Sequence, residues 1–303
     1  MAKTKTPFLS LSAKGSVGES ITAQKFHAET LVRGKPYPTD PYSLPQAYQR
    51  WLYSEVAWLW SLLTPAEKAA YRSAGARFHL TAFQQYLHER LDKLDYYLGY
   101  WKFDNVTAGA TLDTTPYGVS GIVYGASPID GGIGKALYYD GVNDYTNLGT
   151  HTHFPGTYNS FSLECLILAS VNQRGGIVTR WGSYGYQWFL ELTNAGFPRM
   201  VIFNNAGAEF AACLGPAALT DGLFHHVAVN WNTNVLLELS IDGTLVASDA
   251  AFVGVRSTHV APLEIGRHED ACFKGIIDNV KLRSRLPVAA QWLEYSKRRY
   301  PPE

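Results

Sequence analysis

Between residues 99 and 286 apolar and polar positions alternate in short runs, and Gly, Asp and Asn punctuate them. In chain order the runs are GYWKFD (99–104), GKALYYDGVNDYTNLG (134–149), FSLECLIL (161–168), DGLFHHVAVNW (221–231), LELSIDGTLVAS (237–248), PLEIGR (262–267) and FKGIIDNVKL (273–282). A period of two, rich in β-branched and aromatic residues, predicts strands with a buried face. Within the fifth run Asp242-Gly243 predicts a tight hairpin, since both residues tolerate the positive φ of a primed turn.

Residues 1–97 are patterned differently. Phe8 to Ser12, Ser20 to Phe26 and Thr30 to Arg33 read as short strands, and the prolines of KPYPTDPYSLP (35–45) predict an extended connector. Gln46 to Leu63 then has helical spacing: Ala47, Trp51, Leu52, Val56, Leu59 and Leu63 share one broad stripe, with Ser43 as N-cap. Thr64-Pro65-Ala66-Glu67 is a capping box with proline in the first turn, so a second helix begins there and Gly75 interrupts it. A third helix is predicted over Thr81 to Leu94, with Phe83, Tyr86, Leu87, Leu91 and Leu94 on its apolar side. Pro287 to Arg299 reads as a short amphipathic helix carrying Val288, Trp292 and Tyr295. The expected organisation is therefore an α+β module over 1–97, a β-sandwich over 98–287 and a helical tail over 288–303. Trp51, Trp58, Trp60, Tyr71, Phe78, Phe83 and Tyr86 exceed what one small core encloses, which predicts a contact surface for other subunits, in a homo-oligomer or a docked assembly.

The ordered series of seven runs resembles the LamG-like jellyroll family of the concanavalin A-like lectin/glucanase superfamily. That resemblance implies an antiparallel sandwich of two packed sheets, and the superfamily includes lectins, adhesion modules and glycosidases. Farther upstream, GSVGESITAQKF, VRGKPYPTDPYSLPQAYQR, the Trp-bearing helix, LTPAEKAAY and FQQYL resemble modules of tailed-phage and prophage virion proteins. This second resemblance implies attachment to a capsid or tail; read without it, the segment is a small α+β domain that packs on the sandwich.

Charge narrows the partners. The chain has 26 basic and 26 acidic residues among 303, so no global field draws it to nucleic acid or an anionic membrane. MAKTKTPFLSLSAKG lacks the apolar stretch of a secretion signal, and no window is long enough to span a bilayer. A jellyroll without an export signal is expected to be a virion protein, made in a host cytoplasm and released by lysis, with a cell-surface location as the alternative. Cys165, Cys213 and Cys272 offer neither a disulfide framework nor zinc spacing.

Candidate chemistry is sparse. The Glu-x-Asp-x-(x)-Glu run that the resemblance leads one to seek for a glucanase is absent; Glu238 and Asp242 are misspaced, and Glu164 and Glu191 lack a carboxylate two residues away. No catalysis is expected. His225 and His226, adjacent on a strand, point to opposite faces and read as structural; His151 and His153 lie in a loop without a third zinc ligand. By resemblance, a structural calcium is expected on Asp104, Asp140 and Asp278, where first strand, early loop and last strand meet, although Asp140 and Asp144 also read as turn formers. For glycan binding the candidates are Trp181, Tyr184 and the run Arg267, His268, Glu269 and Asp270, because sugar rings present apolar C–H faces to aromatics and loops carry ligand contacts. Alternation places Tyr184, Tyr186 and Trp188 on one face, with Gly185, Gln187 and Phe189 on the other. The expectation is a non-enzymatic virion component, a capsid decoration or tail fibre protein, that projects a lectin-like head. A cell-surface carbohydrate-binding adhesin and a glycoside hydrolase with an unrecognised site are the alternatives.

Overall fold

The computed structural model describes residues 15–17, 21–26, 29–34, 44–76, 79–91 and 97–284, the last range without 133, 158, 183, 184 and 253. The strand expected over Phe8 to Ser12 and the helix expected over Pro287 to Arg299 lie outside the described residues. Compactness divides the chain into Met1–Ser43 and Leu44–Glu303. In the first unit β1 (Gly15–Val17), β2 (Ile21–Phe26) and β3 (Glu29–Gly34) form an antiparallel meander with β2 in the centre.

The second unit opens with three helices, α1 (Leu44–Leu62), α2 (Pro65–Ala76) and α3 (Ala82–Leu91). At α2 the Thr64 backbone N–H donates to Glu67 Oε2 at 2.8 Å and the Glu67 N–H to Thr64 Oγ1 at 3.3 Å, the reciprocal bonds of a capping box. Thr81 and Gln84 repeat the device at α3.

Strands account for the remainder. They begin with β4 (Tyr97–Thr107), β5 (Ala110–Asp113), β6 (Gly121–Tyr124), β7 (Ser127–Asp130), β8 (Lys135–Asp140) and β9 (Tyr145–Asn147). Next come β10 (Phe161–Leu168), β11 (Gly175–Gly182), β12 (Gly185–Leu192), β13 (Pro198–Phe203) and β14 (Glu209–Leu214). Seven more follow: β15 (Phe224–Asn232), β16 (Leu236–Ile241), β17 (Thr244–Asp249), β18 (Leu263–Ile265), β19 (Arg267–His268), β20 (Ala271–Cys272) and β21 (Lys274–Arg283). One layer runs β17-β16-β15-β10-β21, and β21 continues onto β8 through residues 274–277 and onto β4 through residues 280–283. The other layer runs β14-β13-β12-β11-β18-β9-β6-β5. β4 belongs to both, since Val106 and Thr107 pair with β5. The ladders are antiparallel, except for one parallel bridge between Gly176 and Cys272.

Between the layers lies one continuous core, with Trp101, Leu137, Phe161, Leu163, Ile177, Trp188, Leu190, Val229, Trp231, Leu263, Ile265 and Ile277 fully buried. Its three tryptophans also fix loops. Each indole N–H donates to a loop carbonyl: Trp101 to Val119 at 2.9 Å, Trp188 to Pro155 at 3.1 Å and Trp231 to Thr157 at 2.9 Å. Asp242 (φ 50°) and Gly243 (φ 79°) form the two-residue turn between β16 and β17 that the Asp-Gly pair predicts.

The helices pack with the sandwich, although the sequence changes texture only at Leu94 to Gly99. On one side of α1, Val56, Trp60 and Leu63 pack with Tyr71 and Tyr86 of the other two helices. On another, Trp51 meets the Tyr97 ring edge-on at 5.0 Å, Lys102 lies 4.8 Å over the Trp58 ring, and the Tyr97 N–H donates to Tyr48 Oη at 2.6 Å. Trp51 and Trp58 of α1 thus face β4, while Phe78 of the same aromatic set lies outside the described residues. Among the described residues no helix is long and apolar enough to cross a membrane.

Candidate functional site

The glycan candidates converge on the face of the β14–β11 layer turned away from the core. Along β12 and β13, Leu190, Met200 and Ile202 enter the core, so the alternating Phe189, Val201 and Phe203 emerge opposite and form a separate apolar cluster with Trp181 and Tyr186. Trp181 packs 4.2 Å from Tyr186, 4.9 Å from Phe203 and, edge-on, 4.7 Å from His268. Simple alternation placed Tyr186 beside Trp188, and the structure corrects this. Arg180 pairs with Trp188 but Trp181 with Tyr186, leaving Gln187 as the extra residue of a β-bulge. The bulge changes the parity of β12. Trp188 is therefore buried in the core and Tyr186 joins the outer cluster. Tyr184 lies outside the described residues.

Above this cluster opens a cleft of ≈ 670 Å³, bounded by Trp181, Tyr186, Glu264, Arg267, Glu269 and Asp270. Arg267 is clamped on both sides. Its Nε and Nη2 donate to the two Glu264 oxygens at 3.0 and 2.6 Å, and its guanidinium lies 3.5 Å over the Tyr145 ring, which stacks in turn on Tyr124. Burial works to lower the Arg267 pKa, but the Glu264 carboxylate outweighs it and holds the group above its usual value. Glu269 and Asp270 form the exposed tip of the β19–β20 hairpin. Glu269 adopts φ 54°, an uncommon conformation for a residue with a Cβ.

His268 belongs beneath the cleft, at 2% exposure, and does not line it. It bonds Glu191 Oε2 through Nδ1 at 2.9 Å, and the Arg174 Nε donates to the same oxygen at 3.0 Å. Burial favours the protonated form of Glu191, but the His268 bond and charge, with Arg174, overcome it and keep the carboxyl below its usual range. This ionic group braces the sheet under Trp181.

Of the three calcium candidates, Asp140 stands apart from the other two. Asp278 and Asp104 both approach the Gly131–Gly134 turn, where Asp104 Oδ1 accepts the Lys135 N–H at 2.8 Å. Asp140 pairs with Lys274, four residues along β21 from Asp278 and so about 13 Å away at the usual rise per residue. It accepts the Val142 N–H at 2.7 Å as a turn former. Among the described residues no three His, Cys, Asp or Glu side chains converge as a metal site. His225 sits between Asp242 and Asp221 at 2.8 and 3.1 Å, whereas His226 turns to the buried Glu164. His153 stacks on Tyr117 at 4.3 Å.

Comparison with known proteins supports the architecture. No curated protein matches the sequence. Among solved structures the chain is similar to the binding domain of Paraclostridial Mosquitocidal Protein 1, with TM-score 0.55 and 11% identity over 66% of this chain and 52% of that one. It is also similar to the binding domain of botulinum neurotoxin DC in complex with SialylT (TM-score 0.54, 10% identity, 68% of this chain and 52% of that one). A third similar structure is domain 4 of AbnA, a GH43 extracellular arabinanase from Geobacillus stearothermophilus, in complex with arabinotriose. There the TM-score is 0.51 and the identity 17%, over 67% of this chain and 98% of that one. The chain spans about half the length of the two toxin domains, and the likeness to all three is one of fold. In sequence, the Laminin_G_3 family matches residues 140–291, half of the chain, covering every described strand from β9 to β21 and the whole of the cleft. With the two-layered antiparallel sandwich, that match makes the chain a member of the concanavalin A-like lectin/glucanase superfamily.

Proposed function

We propose that the protein binds carbohydrate, without catalysis, in the cleft beside Trp181. The observation that carries this reading is the cleft's composition. Half-buried Trp181 and Tyr186 offer apolar faces to a pyranose or furanose ring, and Arg267, Glu264, Glu269 and Asp270 offer polar groups to its hydroxyls. The arabinanase domain of similar fold is in complex with arabinotriose and the toxin domain with SialylT, which supports the reading. Against hydrolysis stands the pairing of Glu264 with Arg267, which commits the more buried carboxylate of the cleft.

The test is calorimetric titration of the full chain with a panel of neutral oligosaccharides. At least one ligand is expected to bind, and Trp181→Ala to weaken it at least tenfold, roughly the 1.4 kcal/mol of one aromatic–sugar contact. An unchanged affinity in that variant, or release of reducing sugar from the panel, would overturn the reading.

A finer reading makes the protein a virion component, a decoration or tail protein that presents this head. Its support is the resemblance of residues 1–97 to tailed-phage modules. Mass spectrometry of particles from an induced host is the direct test, with the chain expected in purified virions and not in the cell-envelope fraction.

A further inference from the structure

A second cavity, ≈ 300 Å³, opens at the end of the sandwich, between residues 150–157 and residues 257–260. Its floor contains Arg180 and Gln187, exposed by 4% each. A buried cation is normally paired with a carboxylate, because desolvation without a counter-charge is costly. Arg180 has none. Its Nη1 donates to the Phe154 carbonyl at 2.6 Å and its Nε to the Ala261 carbonyl at 3.1 Å. Among the described residues no acid lies within ion-pair distance, and Nη2 has no protein acceptor. Burial alone perturbs the group, pulling its pKa down to about 10, so it is still charged at neutral pH.

Gln187 supplies the complementary observation. As the bulged residue of β12 it is aimed into this cavity, where its amide nitrogen bonds the His259 carbonyl. That contact fixes the amide orientation and leaves Oε1 buried without a donor. The cavity therefore presents a cation that lacks an anion and an acceptor that lacks a hydroxyl. Its walls are held in place: Trp188 and Trp231 fix Pro155 and Thr157, and the Thr157 hydroxyl donates to the Ser257 carbonyl at 2.6 Å.

We infer that this cavity is a binding site for a sugar acid, a ring bearing both a carboxylate and hydroxyls. The carboxylate meets the open edge of the Arg180 guanidinium and a ring hydroxyl donates to Gln187 Oε1. The volume is at the lower end for ligand pockets and suits a single ring. Val260 borders both this cavity and the Trp181 cleft, so an acidic residue here adjoins the neutral sugars there. Only the choice of a sugar rests on the carbohydrate-binding reading; the demand for an anion stands without it.

The test titrates the full chain with galacturonate and glucuronate, and with galactose and glucose as neutral controls, while NMR follows the Gln187 side-chain amide. The expected result is uronate binding at least tenfold tighter than that of the matching neutral sugar, with the amide shifted on binding. Arg180→Gln is expected to remove that preference and keep the melting temperature, since it discharges an unpaired buried cation. If that variant fails to fold, Gln187→Glu retains Arg180 and places a carboxylate in the same cavity; it is expected to abolish uronate binding. Trp181→Ala is expected to leave monosaccharide uronate binding intact, which separates this site from the cleft. Equal affinity for uronates and neutral sugars, or uronate binding undiminished in Arg180→Gln or in Gln187→Glu, would overturn the assignment.

Discussion

His225 shows how one side chain acquires a pH-dependent role without being catalytic. Its bond to Asp242, opposed by partial burial and reinforced by Asp221, raises its pKa above 6.5. Asp242 is lowered, since the His225 and His226 bonds outweigh burial, and Asp221 is lowered chiefly by the Leu223 backbone N–H. The signs then follow from linkage. The histidine's contribution is complete below its unfolded value of 6.5 and fades as pH rises through the higher folded value. The aspartates contribute above their unfolded value of 3.8 and fade as pH falls. Stability from this group is greatest between those limits. His225→Gln is expected to cost under about 1 kcal/mol near pH 6, because both aspartates are about half exposed and screened. Near pH 9 its cost should be smaller still. Urea unfolding of both proteins at the two pH values measures the difference; an equal cost at both would reject the ion pair.

At the scale of elements, the segment from β18 through β20 places two left-handed residues beside one cleft, with opposite demands. Gly266 has φ 87°, and a Cβ there would come within 2.4 Å of the Tyr139 ring. Gly266→Ala should therefore destabilise by about 2–4 kcal/mol, from backbone strain and overpacking together. Glu269 already carries its Cβ at φ 54°. Glu269→Gly should be neutral or stabilising by up to about 1 kcal/mol, as relief of strain offsets the entropy that glycine adds to the unfolded chain. Urea midpoints of the two variants should move in opposite directions or, at least, only the first should fall. Such details mark how far periodicity reaches. FSLECLIL coincides with β10, and Asp-Gly with the β16–β17 turn. The run Met200 to Phe203 shows no alternation because both its faces are covered, by the core and by the Trp181 cluster. β6 and β7 are short and exposed, so Ile122 and Tyr124 give no inward pattern. The cleft was legible through Trp181, Arg267, Glu269 and Asp270, whereas Gln187 of the second cavity was not, because a single bulged residue reverses parity without a signal in composition.

For the whole molecule, the decisive question is where the folding unit begins. Sequence texture changes between Leu94 and Gly99, but compactness begins at Leu44, and contacts of α1 explain the difference. Beside β4 a buried ionic group occupies the outer face of β10 and β21: Glu164 Oε1 lies 2.8 Å from Arg283 Nη2 and 3.1 Å from Lys281 Nζ. Arg283 lies 4.7 Å over the Tyr97 ring, Lys281 4.5 Å over the Tyr100 ring, and Trp51 of α1 packs on Tyr97. The helix thus helps exclude water from a pair network that has already lost its hydration. Removing that cover would hydrate the charges, free the Tyr97 N–H from Tyr48 and expose Trp51's partner ring. A chain of residues 44–303 should therefore melt close to the full-length protein. A chain of residues 98–303, cut where the sequence alone divides, should melt at least several degrees lower or aggregate, since a loss of 2–3 kcal/mol moves a domain of this size by that much. Differential scanning calorimetry of the three chains decides it. Equal melting of 44–303 and 98–303 would mean that the helices are an appendage and not part of the sandwich's folding unit.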